Sequence, residues 1–99
     1  MVQIVWTNRA RKDLKQISEY ISQDSVKYAK SQLDRIFAKA QILTKLPLAG
    51  KVVEEIGDRT IREVIEGNYR IIYRISDSQE ISMLAVHHGA RSLRNRKLK

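Results

Sequence analysis

Cysteine is absent from the 99 residues. That excludes a disulfide framework and a thiolate metal site, and it suits a reducing cytoplasm. With four glycines and one proline, the chain has no Gly-rich phosphate loop and no low-complexity linker, and no serine-nucleophile motif is present. Uninterrupted apolar runs are too short to span a membrane, so no membrane partner is expected. The stretch Met1 to Trp6 lacks a charged leader and a long apolar segment, so it does not read as a secretory signal. Acids are outnumbered, 11 against 19 lysines and arginines, for a formal net charge of +8. A field of that sign attracts nucleic acid, an acidic protein or an anionic surface; a basic surface also serves solubility.

The length corresponds to one domain with one modest core. The hydrophobic fraction of 42% and charged fraction of 30% are those of a globular protein. Charge is uneven along the chain. Residues 91–99 hold Arg91, Arg94, Arg96, Lys97 and Lys99 without an acid, and such a basic tail is expected to stay mobile until a partner binds. Residues 54–66 are acid-rich, with Glu54, Glu55, Asp58, Glu63 and Glu66.

Val2, Ile4 and Trp6 alternate with Gln3 and Val5, the pattern of a short strand with one buried face. Thr7 is placed to cap a helix, with Asn8 as the competing cap. Ala10, Leu14, Ile17 and Ile21 then recur at helical spacing, predicting an amphipathic helix from about residue 8 to about 22. After Gln23-Asp24-Ser25, a second stripe of Val26, Ala29, Leu33, Ile36, Phe37, Ala40 and Leu43 runs to about Lys45, where Pro47 stops it. The short break between them predicts an antiparallel helical hairpin. Lys51 to Val53 reads as a weak strand. Ile61–Ile65, Tyr69–Ile75 and Ile81–Val86 form a meander, with Gly67-Asn68 as a tight turn and Ser76 to Gln79 as the second loop. The predicted class is α+β: an antiparallel sheet, made of the short N-terminal strand and the three-stranded C-terminal meander, covered on one face by the helical hairpin. The other face is expected to be largely open.

Those loop lengths pair Ile65 with Arg70, Glu63 with Ile72, Arg74 with Ile81, Ile72 with Met83 and Arg70 with Ala85. Val64, Ile71, Tyr73, Ile75, Leu84 and Val86 then face the helices. Glu63, Ile65, Arg70, Ile72, Arg74, Met83, Ala85 and His87 share the opposite face. Arginines there offer bidentate contacts to phosphate, and a histidine titrating near neutrality offers a proton. Alternatively, Glu63 simply pairs with Arg70 or Arg74 across the strands. His87 and His88 are adjacent, so on a strand they point to opposite faces. They lack a third ligand at metal spacing, so no metal site is expected.

Several stretches together resemble the RelE/ParE superfamily of toxins from type II toxin–antitoxin modules. They are the strand ending near Trp6, Ala10-x-x-Asp13-Leu14-x-x-Ile17-x-x-Tyr20-Ile21, the connector Leu46-Pro47-Leu48-Ala49-Gly50, and Ile61-Arg62-Glu63-Val64. To these add Tyr69-Arg70-Ile71-Ile72-Tyr73-Arg74-Ile75 and the ending Val86-His87-His88-Gly89-Ala90-Arg91. The resemblance covers nearly the whole chain and implies the fold derived above. It also implies growth arrest when the toxin is free, a cognate antitoxin that neutralises it in a hetero-oligomer, and no cofactor.

Two activities occur in that superfamily. ParE-like members poison DNA gyrase; RelE-like members cleave mRNA on the ribosome. On the nuclease branch the resemblance makes Arg70 the catalytic or phosphate-stabilising residue. His87, His88, Arg91 or Glu63 would assist without a metal. Arg62, Arg74, Arg91 and Arg94 are the target-binding candidates on either branch. The long regular hairpin and the lack of an aromatic after Tyr73 resemble the ParE branch, and Arg70 with His87-His88 resembles a nuclease site; the expectation is a ParE-like inhibitor of DNA gyrase, with the RelE-like endoribonuclease as the alternative.

Overall fold

The computed structural model describes residues 2–76, 79–94 and 96–98. Two helices and five strands follow in the order β1 (Gln3–Trp6), α1 (Asn8–Ser22), α2 (Val26–Ile42), β2 (Lys51–Val52), β3 (Ile61–Glu66), β4 (Tyr69–Ile75) and β5 (Glu80–His88). Thr7 caps α1 by accepting from the Ala10 amide, and Ser25 caps α2 by accepting from Tyr28, each satisfying an amide that the first helical turn leaves unpaired. The apolar stripes of α1 and α2 face the sheet. Ala10, Leu14 and Ile17 of α1 meet Ile36 and Ala40 of α2 over Tyr69, Ile71, Tyr73, Ile81, Met83 and Val86.

The sheet order is β1-β5-β4-β3-β2. The meander is antiparallel, but β1 runs parallel to β5, pairing Ile4 with Ile81 and Trp6 with Met83. The sheet is therefore mixed. The α1–α2 hairpin returns the chain over one face, so β1 and β5 enter the sheet in the same direction. Beyond Met83, β1 no longer covers the edge of β5, and α1 takes over. The Thr7 hydroxyl donates to the Met83 carbonyl, and Asp13 accepts from the Val86 amide at 2.9 Å.

The β3–β4 register is the expected one, Ile65 opposite Arg70 and Glu63 opposite Ile72, with Gly67 in the left-handed conformation (φ 58°) that the tight turn requires. The β4–β5 register differs. Arg74 pairs with Ser82, Ile72 with Ala85 and Arg70 with His87. Two causes combine. Ser76 donates to Glu80, so the loop is one residue shorter than expected and Ile81 and Met83 turn to the helices. Then a bulge between the Ile72 and Tyr73 rungs accommodates Leu84 as an extra residue. Leu84 and Ala85 both point away from the helices, and Val86 and His87 return to the faces expected of them. Met83 and Leu84 exchange sides, and Ile81 turns to the helices with Met83.

The face opposite the helices is also covered. Ile61, Ile72, Leu84 and Ala85 form a second cluster with Val53, Ile56, Leu93 and Leu98. The basic tail is thus seated at Leu93 and Leu98, which are 3% and 4% exposed. Apolar burial explains the seating: two leucines recover contact that an open sheet face would leave in water.

The connector is fixed by Tyr73. Its hydroxyl donates to the Pro47 carbonyl (2.8 Å) and accepts from the Gly50 amide (3.0 Å). Gly50 is pressed so closely on this group that a Cβ there would lie 2.5 Å from the Glu63 carbonyl and 2.6 Å from the Tyr73 hydroxyl. No helix among the described residues is long and apolar enough to cross a membrane. Tyr73→Phe leaves the buried Gly50 amide unpaired. It is expected to lower unfolding free energy by about 1–3 kcal/mol, read as a lower urea midpoint with unchanged slope.

Candidate functional site

On the face away from the helices, cross-strand pairing places side chains in rows. Arg70 lies between Ile65 and His87, and the adjacent row carries Lys51, Glu63, Ile72 and Ala85. The Glu63 side chain is only 3% exposed. A carboxylate in that position needs a cation and hydrogen-bond donors, and Arg70 supplies both. Its Nε donates to Glu63 Oε1 at 2.8 Å and its Nη2 to Glu63 Oε2 at 2.7 Å.

The opposite end of the same guanidinium is taken by Glu55, from the turn after β2. Nη1 donates to Oε2 at 2.7 Å and Nη2 to Oε1 at 2.9 Å. Four hydrogen bonds to two carboxylates therefore engage Arg70. The Arg70 hydrogen bonds, with one from the backbone, hold the Glu55 carboxyl at about 2, below its ordinary 4.5. The two carboxylates push the guanidinium further into its charged range.

His87 is buried and its ring is occupied on both sides. Nε2 lies 3.0 Å from the Arg91 carbonyl, and Nδ1 lies 3.2 Å from Arg96 Nη1. Arginine can only donate, so Nδ1 accepts, and Nε2 carries the hydrogen given to Arg91. Arg96 then reaches Asp13 of α1 through Nη2, at 3.1 and 3.0 Å. One chain of polar contacts thus joins helix, sheet and tail: Val86 amide, Asp13, Arg96, His87.

The remaining candidates lie elsewhere. His88 is on the helix side, edge-on to the Tyr69 ring at 5.5 Å, with Nδ1 accepting from the Ala90 amide. Burial, with the Tyr28 and Tyr20 phenols nearby, raises the Tyr69 phenol above its ordinary range. Arg62 is also on the helix side and donates to the Gly50 carbonyl at 3.0 Å, which makes it part of the connector's anchorage. Arg74 shares the face of Arg70, four residues along β4, and is half-buried. Arg91 and Arg94 are exposed at the start of the tail. The structure therefore brings together Arg70, Glu63 and His87, and separates them from His88 and Arg62. No group of three or more metal-ligating side chains occurs among the described residues.

Sequence reasoning passed over three partners. Asp13 had a legible signal: it sits three residues after Ala10 and four before Ile17, so it shares their inward side of α1. Arg96 and Glu55 had none, since tail and turn carry no periodicity.

Glu55 binds a proton more readily in the unfolded chain than in the folded one. Its contribution to stability is therefore full above pH 4.5 and is lost as pH falls toward about 2. Glu55→Gln is expected to flatten that limb of the unfolding midpoint plotted against pH. Arg70→Met strands the buried Glu63 and should cost about 3–5 kcal/mol, whereas exposed Arg94→Met should stay within about 0.5 kcal/mol. Chemical denaturation of the three variants checks both statements.

Comparison with known proteins adds independent lines. Residues 4–93 match the family described as the ParE toxin of the type II toxin–antitoxin system parDE. Toxin RelE2 of Caulobacter vibrioides is 34% identical over 92 residues, covering 92% of this chain and 99% of that protein. Among solved structures, the chromosomal ParDE toxin–antitoxin system from P. aeruginosa superposes with a TM-score of 0.72 at 20% identity, over 89% of this chain and 96% of that one. The toxin–antitoxin complex RelBE2 from Mycobacterium tuberculosis gives 0.56 at 26% identity, over 88% and 96%. The first of these likenesses supports the fold, and the sequence matches support the lineage. The chain belongs to the ParE toxin family of type II toxin–antitoxin systems.

Proposed function

We propose that this toxin arrests growth by binding DNA gyrase in the cytoplasm, and that its antitoxin prevents this by covering the basic molecule. The observation that carries the gyrase reading is the pairing of Arg70 with both Glu63 and Glu55. Cleavage of RNA to a cyclic phosphate needs three things: an activated 2′-hydroxyl, a stabilised phosphate charge and a proton for the leaving 5′-oxygen. Here the arginine that would stabilise the charge is already neutralised. Glu63 is buried beneath it, and both nitrogens of His87 are engaged. That arrangement suits a surface that binds better than one that moves protons.

The antitoxin is expected to present an acidic, amphipathic segment across the helical hairpin or the sheet edge. Two features support this location. Beside the free edge of β1, Ile4 and Trp6 line a groove of about 320 Å³ with Phe37, Ala40 and Gln41. At the hairpin tip, Tyr20, Val26 and Tyr28 are exposed. Both solved neighbours named above are toxin–antitoxin systems.

A RelE-like endoribonuclease is the second reading, favoured by the 34% identity to a protein named RelE2. The two are separated by expressing the chain under tight control, with and without the neighbouring small reading frame, then mapping RNA ends and assaying supercoiling in parallel. The expected result is growth arrest relieved by the neighbour, inhibited gyrase and unchanged RNA ends. Codon-positioned cuts with unaffected gyrase would overturn the gyrase reading, and absence of arrest would count against both.

A further inference from the structure

Between α2 and β2 the chain sorts its apolar side chains unevenly. Leu43 is fully buried, whereas Ile42, Leu46 and Leu48 are 48%, 58% and 68% exposed. Those three lie close along the backbone. The Leu46 amide donates to the Ile42 carbonyl, one helical turn back, and the Ala49 amide closes a turn onto the Leu46 carbonyl. The loop that carries them is held from its inner side. The buried Tyr73 hydroxyl takes Pro47 and Gly50, and Arg62 takes the Gly50 carbonyl. Anchored in this way, the loop keeps two leucines in water, where burial would favour folding them in. An isolated exposed leucine is ordinary. Three large apolar side chains close together on an anchored loop make a patch, and a patch of that kind marks an interaction surface.

Charge around the patch has one sign. Residues 36–53 carry Lys39, Lys45 and Lys51 and no acid. Lys45 and Lys51 are exposed, and none of the three is in a salt bridge with a described residue. We propose that this knuckle, Ile42, Leu46 and Leu48 with Lys39 and Lys45, is the toxin's contact with its target, a folded protein presenting a shallow apolar pocket rimmed by carboxylates. The inference rests on the reading that the toxin acts by binding a protein, and it names the surface that does so.

The chemistry selects this partner. Leucines entering an apolar pocket leave water, while the lysines meet carboxylates at its rim. Tyr73 and Arg62 have already ordered the loop, so docking has little backbone left to order. Nucleic acid would use the lysines and gain nothing from the leucines. A membrane surface favours Trp and Tyr, and the knuckle has neither. Position separates it from the antitoxin. The hairpin tip is at the other end of α2, about 24 Å away along the helix. The groove beside β1 ends at Gln41, next to Ile42. An antitoxin segment lying in that groove would stand beside the knuckle and keep a bulky target off it.

The test combines Leu46→Ser with Leu48→Ser. Both side chains are exposed, so the urea midpoint should stay where it is. The half-inhibitory concentration against purified gyrase should rise by about ten-fold or more, and controlled expression at equal protein level should no longer arrest growth. Lys45→Glu should raise the same concentration by about three-fold or more at low salt, an effect that fades at high salt. Lys15→Glu makes the same charge change on the exposed side of α1 and should alter it by less than about twofold. Inhibition and arrest retained by the leucine variant, or an equal effect from Lys15→Glu, overturns the proposal. So does wild-type binding to phosphatidylglycerol vesicles that the leucine variant abolishes. Should the leucine pair fold poorly, Leu48→Asn alone, at the most exposed of the three positions, repeats the comparison. If the wild type arrests growth but leaves gyrase untouched, loss of arrest in the leucine variant keeps the knuckle and sinks gyrase as the target. A wild type that does neither overturns both.

Discussion

A buried carboxylate constrains everything around it, and Glu63 is that constraint here. Its position on β3 is inward and almost sealed, so it must be matched by a cation at fixed distance. Arg70, one strand over and diagonally placed, is the match. Once Arg70 is committed to Glu63, its remaining donors point toward the turn after β2, and Glu55 completes them. The superfamily resemblance makes this arginine a reactive group on one branch. In this chain the same position is first of all the pin on β4 that holds both Glu63 of β3 and Glu55 of the turn after β2.

The helical layer was legible from the sequence because its signals are local. Ala10, Leu14, Ile17 and Ile21 repeat at helical spacing, and Thr7 and Ser25 cap where short polar side chains should. The β3–β4 hairpin was legible for a similar reason: Gly67 marks a turn whose length determines the register. The β4–β5 pairing was not. A loop shorter by one residue and a bulge at Leu84 each shift the register by one in the same sense, and from Ala85 on the total of two restores each side chain to its expected face. His87 therefore landed on its expected face although the intervening pairs were displaced. Nothing in Ile81-Ser82-Met83-Leu84-Ala85-Val86 marks the extra residue, since apolar side chains occupy both sides of the bulge.

The covered second face was hidden for a different reason. Composition marks residues 91–99 as a charged tail, and an average over that stretch conceals Leu93 and Leu98. Those two leucines, with Arg96 reaching Asp13 around the edge of β5, convert the tail into the fourth side of the fold. The candidate site was legible in its members and opaque in its state. Arg70, Glu63 and His87 do share one face, but only the three-dimensional partners Glu55, Arg96 and the Arg91 carbonyl reveal that each is already occupied.

The parallel pairing of β1 with β5 has a consequence for when this protein comes into being. Gln3 bonds to Gln79, and Thr7 to Met83, so the first strand waits for a partner more than seventy residues away. Such distant closures are slow and late. During synthesis the helices can form as they emerge, but the sheet lacks its inner strand until β5 has left the ribosome, and the lid of Leu93 and Leu98 follows last. A nascent chain therefore spends nearly its whole translation without the completed sheet, and that delay gives an antitoxin time to be present when the fold closes.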